Sequence, residues 1–325
     1  ITLTFFSRRS HPDRNFNRGA IKKRRAATSR DSQNFPRMGI KNLSKAIRKF
    51  APGARRELSD LSAYIGKRFA IDTAIFVHKF ASLQRDVPTA ILEQATWLRA
   101  QGIDPVYVFD GRSCGAKQAE VLRRKEAKEE AVAAAAVALT EAECMRESDL
   151  RTLENPIEAI IAAESRAART EKRATAVPRR DDYTRTREVL AASGFSVRQA
   201  RNDGEKACAW AARNGLCDVV VTEDYDALPY GSPVVLMGLG RPQMVEYRLG
   251  AILSEMDVSF ATFVDYCILC GCDLCPSKIR GVGTQHARQL LARHGRIEEV
   301  VANLPPRFSV PGDFEFQSAR DEFMD

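Results

Sequence analysis

The sequence predicts an α/β fold in which a mostly parallel sheet is flanked by helices, with a helical insertion and a helical C-terminal region. Three short apolar runs have the composition of buried strands, and helical segments separate them along the chain. Strands that alternate with helices are typical of a parallel sheet, and ligands bind at the carboxyl edge of such sheets. Each run leads into an aspartate, so three carboxylates are predicted to point into one crevice. The runs are Arg68–Asp72, Pro105–Asp110 and Asp218–Asp224.

Residues 38–111 are predicted to form the first part of the sheet domain. Ile40, Leu43, Ile47 and Phe50 recur at helical spacing before the first strand. Between the first and second strands, a helix is predicted over 90–100, and Gly102 is suited to cap its C-terminal end.

Residues 112–187 are rich in Ala, Glu, Arg and Lys and contain almost no aromatic residues. These residues favour helices, but they include too few large apolar side chains for an independent core. A helical insertion is therefore predicted here. The sheet domain resumes over 188–258 with a helix over 204–213, and 259–325 is predicted to be a second helical region with a loop over 271–283.

Composition indicates a globular protein, because 44% of the 325 residues are hydrophobic. No run of about 18 apolar residues is present, so neither a membrane span nor a membrane partner is expected, and the protein is predicted to be soluble and intracellular. Eight cysteines without a secretory signal indicate reduced thiols rather than a disulfide framework.

The net charge of +8 is concentrated in residues 1–37, where ten Lys or Arg residues face only Asp13 and Asp31. This segment has no hydrophobic periodicity and is expected to be a disordered basic extension or upstream read-through before a start at Met38. Lys22–Arg25 resembles a nuclear localisation patch, although short basic runs also arise by chance. Nucleic-acid binding must therefore be argued from local features rather than from the overall charge.

Seven carboxylates stand at or just beyond the ends of predicted elements. Taken singly, such a residue more often caps a helix or starts a turn. Taken together, converging carboxylates repel one another and require cations, for which Mg²⁺ is the natural choice. Two such ions about 4 Å apart can promote hydrolysis of a phosphodiester. The candidates are Asp72, Asp110, Asp203, Glu205, Asp224, Asp226 and Asp273.

Five motifs, in order and spacing, resemble those of the flap endonuclease (XPG) family from residue 38 onward. The resemblance implies a PIN-like (resolvase-like) α/β domain that cuts 5′ flaps of branched DNA in replication or repair. It also implies two Mg²⁺ ions, replaceable by Mn²⁺, on the seven carboxylates. Asp203 departs from the family pattern, which usually has Glu-x-Glu where this chain has Asp203-Gly-Glu205. The motifs are Met-Gly-Ile-Lys-Asn-Leu (38–43), Ile-Asp-Thr (71–73), Pro-Val-Tyr-Val-Phe-Asp-Gly (105–111), Thr-Glu-Asp-Tyr-Asp-Ala-Leu (222–228) and Ile-Arg-Gly-Val-Gly (279–283).

The resemblance also assigns residues that handle DNA. Lys117 and Arg124 are expected to contact the scissile phosphate from a helical arch formed by the insertion, although basic residues on a helix are more often a solvated face. The region 279–284 resembles a helix-two-turn-helix that grips one duplex strand and holds a K⁺ ion. The DNA contacts implied are Gly39, His78, Lys117, Arg124, Gly281, Gly283 and Thr284.

Several alternatives stay open at this stage. His78 is equally well explained as a structural histidine. The C-x2-C-x-C-x2-C run at 267–275 has ligand-like spacing, but buried thiols are the preferred interpretation. A 5′-to-3′ exonuclease of the same family and a catalytically weakened DNA-binding relative are the competing functions.

The resemblance further suggests a nuclear monomer that continues beyond residue 325. No peptide of the Gln-x-x-aromatic type is visible, so binding to a sliding clamp is left open.

Overall fold

A seven-stranded sheet forms the centre of the structure. The structure is a computed structural model, and it describes residues 39–111, residues 178–325 and separate residues between 126 and 140. The predicted extension at 1–37 and most of the predicted insertion lie outside the described residues. The strands are β1 (Arg55–Leu58), β2 (Arg68–Asp72), β3 (Asp104–Phe109), β4 (Ser196–Gln199), β5 (Val219–Val221), β6 (Val234–Met237) and β7 (Met244–Arg248).

The strand order is β1-β7-β6-β5-β2-β3-β4. Strands β6, β5, β2, β3 and β4 run parallel, and β7 and β1 add two antiparallel strands at one edge. The mostly parallel sheet predicted from the sequence is confirmed, although the antiparallel edge was not predicted. Because β2 lies between β5 and β3, the ends of these three strands adjoin one another.

The helices are α1 (Leu43–Phe50), α2 (Thr73–Ser82), α3 (Val87–Ala100), α4 (Arg180–Ala192), α5 (Gly204–Arg213), α6 (Leu249–Met256), α7 (Phe260–Cys270), α8 (Thr284–His294), α9 (Ile297–Ala302) and α10 (Phe316–Met324). None of them, within the described residues, has the length and apolar composition needed to cross a membrane.

Alternation along the buried strands divides the core between the two faces of the sheet. In β2, Ala70 packs into one hydrophobic cluster, whereas Phe69 and Ile71 pack into the other. In β5, Val220 packs into the first cluster, and Val219 and Val221 pack into the second. Side chains of successive strand residues point to opposite faces, so a strand covered on both sides must be apolar throughout. This explains why the sequence shows continuous apolar runs.

Helix boundaries agree with the sequence signals in several places. Helix α3 begins earlier than predicted, because the Asp86 side chain accepts a hydrogen bond from the Thr89 N–H and Pro88 occupies the first turn. Its end is confirmed: Gly102 has a φ of 76°, and the N–H groups of Gly102 and Ile103 donate to carbonyls of the last turn. The helix predicted over 204–213 is also confirmed.

Two expectations need correction. The third strand ends at Val221, so Asp224 lies three residues beyond it in a loop rather than at the strand end. Helix α4 runs from residue 180 to 192 and crosses the expected domain boundary at 187. Thr186 and Leu190 of α4 are buried, which anchors this helix to the sheet domain.

Candidate active site

The candidate site lies at the carboxyl edge of the central strands. Asp72 is the last residue of β2, and Asp110 follows the last residue of the neighbouring strand β3. Because β2 and β3 are parallel and pair Asp72 opposite Val108, their acidic ends reach the same edge. The loop after β5, the other neighbour of β2, contributes Asp224 and Asp226.

Three carboxylates form a compact buried group in which one oxygen from each lies within 4.8 Å of the others: Glu205, Asp224 and Asp226. Backbone groups fix their orientation. The Ala227 N–H donates to Glu205 Oε1 at 2.9 Å, and the Asp226 N–H donates to Asp224 Oδ1 at 3.1 Å. The three oxygens are therefore held together by the loop itself, despite their mutual repulsion.

Asp72 is only 4% exposed and links this group to the remaining carboxylates. Burial raises its pKa well above the usual range, and the charges of Asp110, Asp203 and Asp224 raise it further. One hydroxyl connects the Asp72 side chain to the backbone of Asp224: Thr222 donates to Asp72 Oδ2 at 3.2 Å and accepts from the Asp224 N–H at 3.1 Å.

The N-terminus of α5 organises the next two carboxylates. Asp203 caps the helix by accepting from the Lys206 N–H at 3.0 Å, and Asp110 Oδ1 accepts from the Gly204 N–H at 2.8 Å. A Cβ atom at residue 204 would lie 2.8 Å from Asp110 Oδ1, so glycine is required for this approach. The partial positive charge of a helix N-terminus favours both carboxylates.

Gly39 brings the backbone of the N-terminal segment against the acidic loop. Its φ is 77°, and a Cβ atom there would lie 1.8 Å from Asp224 Oδ1 and 2.7 Å from Asp226 Oδ1. Two residues later, the Lys41 N–H donates to the Gly271 carbonyl at 3.0 Å. The segment that begins at Gly39 thus joins the acidic loop to the loop that carries Asp273.

Asp273 is half-buried and is not a member of the compact group of three. It follows Cys272, a buried thiol whose pKa is raised by burial and then by the charge of Asp226. The predicted buried thiols are confirmed, since Cys267, Cys270, Cys272 and Cys275 are free and buried.

The candidate DNA contacts are distributed over two further regions. His78 is exposed on α2. Gly281 has a φ of 81°, and Gly283 immediately precedes α8, which begins at Thr284. Lys117 and Arg124 lie outside the described residues.

Two residues that support the site were not predicted from the sequence. Thr222 stands two residues before Asp224, and Gly204 separates the acids of the Asp-Gly-Glu sequence. The hydroxyl two residues before Asp224 and the glycine between the two acids are the sequence signals that could have identified Thr222 and Gly204.

The donor set suits a divalent metal ion. The carboxylates are crowded and largely buried, and their charges raise the pKa of Asp72. Bound cations would relieve this repulsion, and hard oxygen ligands are those that Mg²⁺ and similar ions prefer. The residues present therefore fit a metal centre.

Comparison with known protein families finds two matching regions. Residues 38–131 match the XPG N-terminal domain, and residues 194–273 match the XPG I-region. Flap endonuclease 1 of Entamoeba dispar is 31% identical over 307 residues, which cover 88% of this chain and 76% of that protein. Flap endonuclease 1-A of Sorghum bicolor is 29% identical over 309 residues, covering 89% and 75%.

Solved structures share the fold. The catalytic core of Rad2 in complex with a DNA substrate superposes with a TM-score of 0.61 at 17% identity, covering 88% of this chain and 86% of that one. The flap endonuclease-1 of Methanococcus jannaschii gives a TM-score of 0.58 at 19% identity, covering 85% and 83%.

Proposed function

Because this chain belongs to the flap endonuclease (XPG) family, we propose that it is a structure-specific nuclease that hydrolyses a phosphodiester bond near the base of a 5′ flap in branched DNA. The observation that carries the proposal is the convergence of Glu205, Asp224 and Asp226 beside Asp72 at the carboxyl edge of the sheet. Without bound cations, a buried acidic cluster of this kind would repel polyanionic DNA. It suits a metal-assisted reaction on phosphate.

The proposed cofactor is Mg²⁺, for which Mn²⁺ can substitute. When bound, a divalent ion supplies positive charge that stabilises phosphate oxygens and lowers the pKa of water. Two ions would be held by the carboxylates of Asp72, Asp110, Asp203, Glu205, Asp224, Asp226 and Asp273. We also propose a K⁺ ion at the turn over 279–283.

The chain itself prepares this site in three ways. The Thr222 hydroxyl and the N–H groups of the acidic loop hold the carboxylates in fixed directions. Gly39 places backbone beside Asp224 and leaves no space there for a side chain. The first turn of α5 directs N–H groups at Asp110 and Asp203, which offsets part of their charge.

DNA contacts are proposed on the residues that match the family. Lys117 and Arg124, in the segment proposed to form the arch, would stabilise the charge that develops on the scissile phosphate. His78 would stack on a base, and Gly281, Gly283 and Thr284 would hold a backbone phosphate of the duplex. We propose that the protein acts as a monomer on nuclear DNA.

The test is cleavage of a labelled double-flap DNA beside nicked and blunt duplexes, in Mg²⁺ and in EDTA. One metal-dependent cut near the flap junction is the expected result. Mononucleotide release from nicked or blunt ends would instead identify the 5′-to-3′ exonuclease. Tight flap binding without cleavage would identify a weakened relative.

Asp224→Asn provides the matched variant. It removes a proposed metal ligand but no phosphate donor, so cleavage should be lost while flap binding is largely retained. Loss of binding in a folded Asp224→Asn protein would contradict the assigned role.

A further inference from the structure

Helix α4 presents an aromatic and a basic side chain toward the acidic end of β3, and neither belongs to the site described above. Tyr183 and Arg187 are four residues apart and therefore lie on the same side of the helix. Tyr183 is half-buried and packs against the hydrophobic cluster that contains Phe109. The guanidinium of Arg187 lies over the Phe109 ring, with Cζ 5.1 Å from its centroid. Phe109 is the last residue of β3, so this pair stands near the carboxyl end of that strand.

The position of α4 is fixed by packing. Thr186 and Leu190, on the neighbouring part of the same helical face, are fully buried. The Arg179 N–H donates to the Asp182 side chain at 2.7 Å and closes the first turn. Because α4 is anchored by packing, it holds Tyr183 and Arg187 in fixed positions, which favours a role in binding.

The charge of Arg187 has no ionic partner in the described part of the chain. Its side chain is exposed, and its contact there is the cation–π stacking on Phe109. Arg185 on the opposite side of α4 differs, because it faces Asp86 at 3.8 Å. An arginine whose guanidinium lies over an aromatic ring still has N–H groups that can bind phosphate oxygens.

Tyr183 has the complementary property of a hydrogen-bond donor. Burial raises the pKa of its phenol, and the charges of Asp110 and Asp72 raise it further, so the hydroxyl keeps its proton. Donors beside an acidic centre offset the repulsion that a DNA strand meets on approach.

We propose that Tyr183 and Arg187 form a phosphate-binding pair for the DNA strand that enters the carboxylate site beside Asp110. The proposal rests on the proposed function, since it takes branched DNA as the ligand. It assigns the sugar-phosphate backbone, not the bases, as the chemical group that this pair recognises.

The experiment measures equilibrium binding of a fluorescent double-flap DNA by anisotropy, in EDTA, at several salt concentrations. Arg187→Gln removes the charge and keeps a side-chain stem over Phe109. Arg185→Gln is the matched control, because it removes the same charge from the same helix about 160° around its axis.

We expect Arg187→Gln to weaken binding several-fold and to reduce the slope of log K against log salt by about one. Arg185→Gln should leave the slope unchanged. Tyr183→Phe should weaken binding about five-fold, the effect of one lost hydrogen bond. If both side chains hold one phosphate, the double variant should lose less than the sum of the single losses.

The proposal is overturned if Arg187→Gln and Arg185→Gln, both folded by circular dichroism, bind with the same affinity and salt slope. Because binding is measured without metal, this outcome is separate from failure of the proposed function. A wild-type protein that binds flaps without cutting them would remove the proposed activity and leave the phosphate-binding pair testable.

Discussion

Replacing Asp72 by Asn is expected to stabilise the metal-free protein while removing its cleavage activity. Asp72 is buried among the carboxylates of Asp110, Asp203 and Asp224, which raise its pKa after burial itself. Asparagine has nearly the same shape and carries no charge. Its carbonyl oxygen can still accept from the Thr222 hydroxyl, which lies 3.2 Å from Asp72 Oδ2.

The pH dependence gives the sign of the effect. In the unfolded chain an aspartate ionises near pH 4, whereas folded Asp72 holds its proton to higher pH. Between these two pKa values the folded state binds more protons, so the free energy of unfolding falls as pH rises through the window. Each unit of pKa difference corresponds to about 1.4 kcal/mol. At neutral pH, Asp72→Asn should therefore be more stable than the wild type and should unfold at a higher Tm.

The assay is thermal unfolding in EDTA from pH 4 to 8, followed by titration of Mg²⁺ at neutral pH. Asp104→Asn is the control, since Asp104 lies at the opposite edge of the sheet and forms an exposed ion pair with Arg68 at 2.8 Å. It should change stability by less than about 1 kcal/mol. Mg²⁺ should raise the Tm of the wild type more than that of Asp72→Asn. An Asp72→Asn protein that is less stable in EDTA, with an unchanged pH slope, would refute the reasoning.

Three further variants test other parts of the structure. Gly39→Ala should lose cleavage and most of the stabilisation by Mg²⁺ in thermal unfolding, because its Cβ would overlap a site carboxylate. Gly66→Ala is the control: residue 66 has a similar φ, its Cβ would meet no atom within 4 Å, and the variant should lose only stability. Arg320→Ala should lower the free energy of unfolding in urea by about 3 kcal/mol, because it leaves buried Asp265 without its 2.7 Å ion pair; a loss below 1 kcal/mol would contradict this. His286→Asn should retain duplex binding better than His286→Gln, because an Asn amide can replace the contact of His286 Nδ1 with the Gly281 carbonyl at 3.0 Å. Equal affinities of the two variants would show that this contact is dispensable.

The sequence was sufficient for those parts of the fold that local signals determine. Strand β2 and helix α5 were predicted with their observed bounds, because an apolar run and an Asp-Gly-Glu start mark them directly. The antiparallel edge was missed for a physical reason. Strand β1 (Arg-Arg-Glu-Leu) has little apolar character, and its partner β7 lies nearly 190 residues away, so pairing between distant segments determines it.

The same distinction applies to the site. The acidic residues could be proposed from the sequence because carboxylates are side chains that bind metal ions, and six of the seven are now connected by direct contacts or by their effect on one another's charge. Thr222 could not be predicted in the same way, because its role depends on Asp72, which is 150 residues away and reaches the Thr222 hydroxyl only in the folded sheet. Supporting residues depend on tertiary geometry, which a single sequence does not contain.

Asp203 shows how helix capping constrains a carboxylate that is also a proposed metal ligand. One of its oxygens accepts from the Lys206 N–H at 3.0 Å and starts α5, and its charge also contributes to the raised pKa of Asp72. Aspartate is among the best residues for an N-cap because its short side chain reaches back to the helix backbone. The shorter carboxylate at this position therefore favours a well-formed start of α5, which in turn places Glu205 in the first turn. The second oxygen of Asp203 remains directed by the cap, so the geometry of the helix start sets how this carboxylate can approach a metal ion.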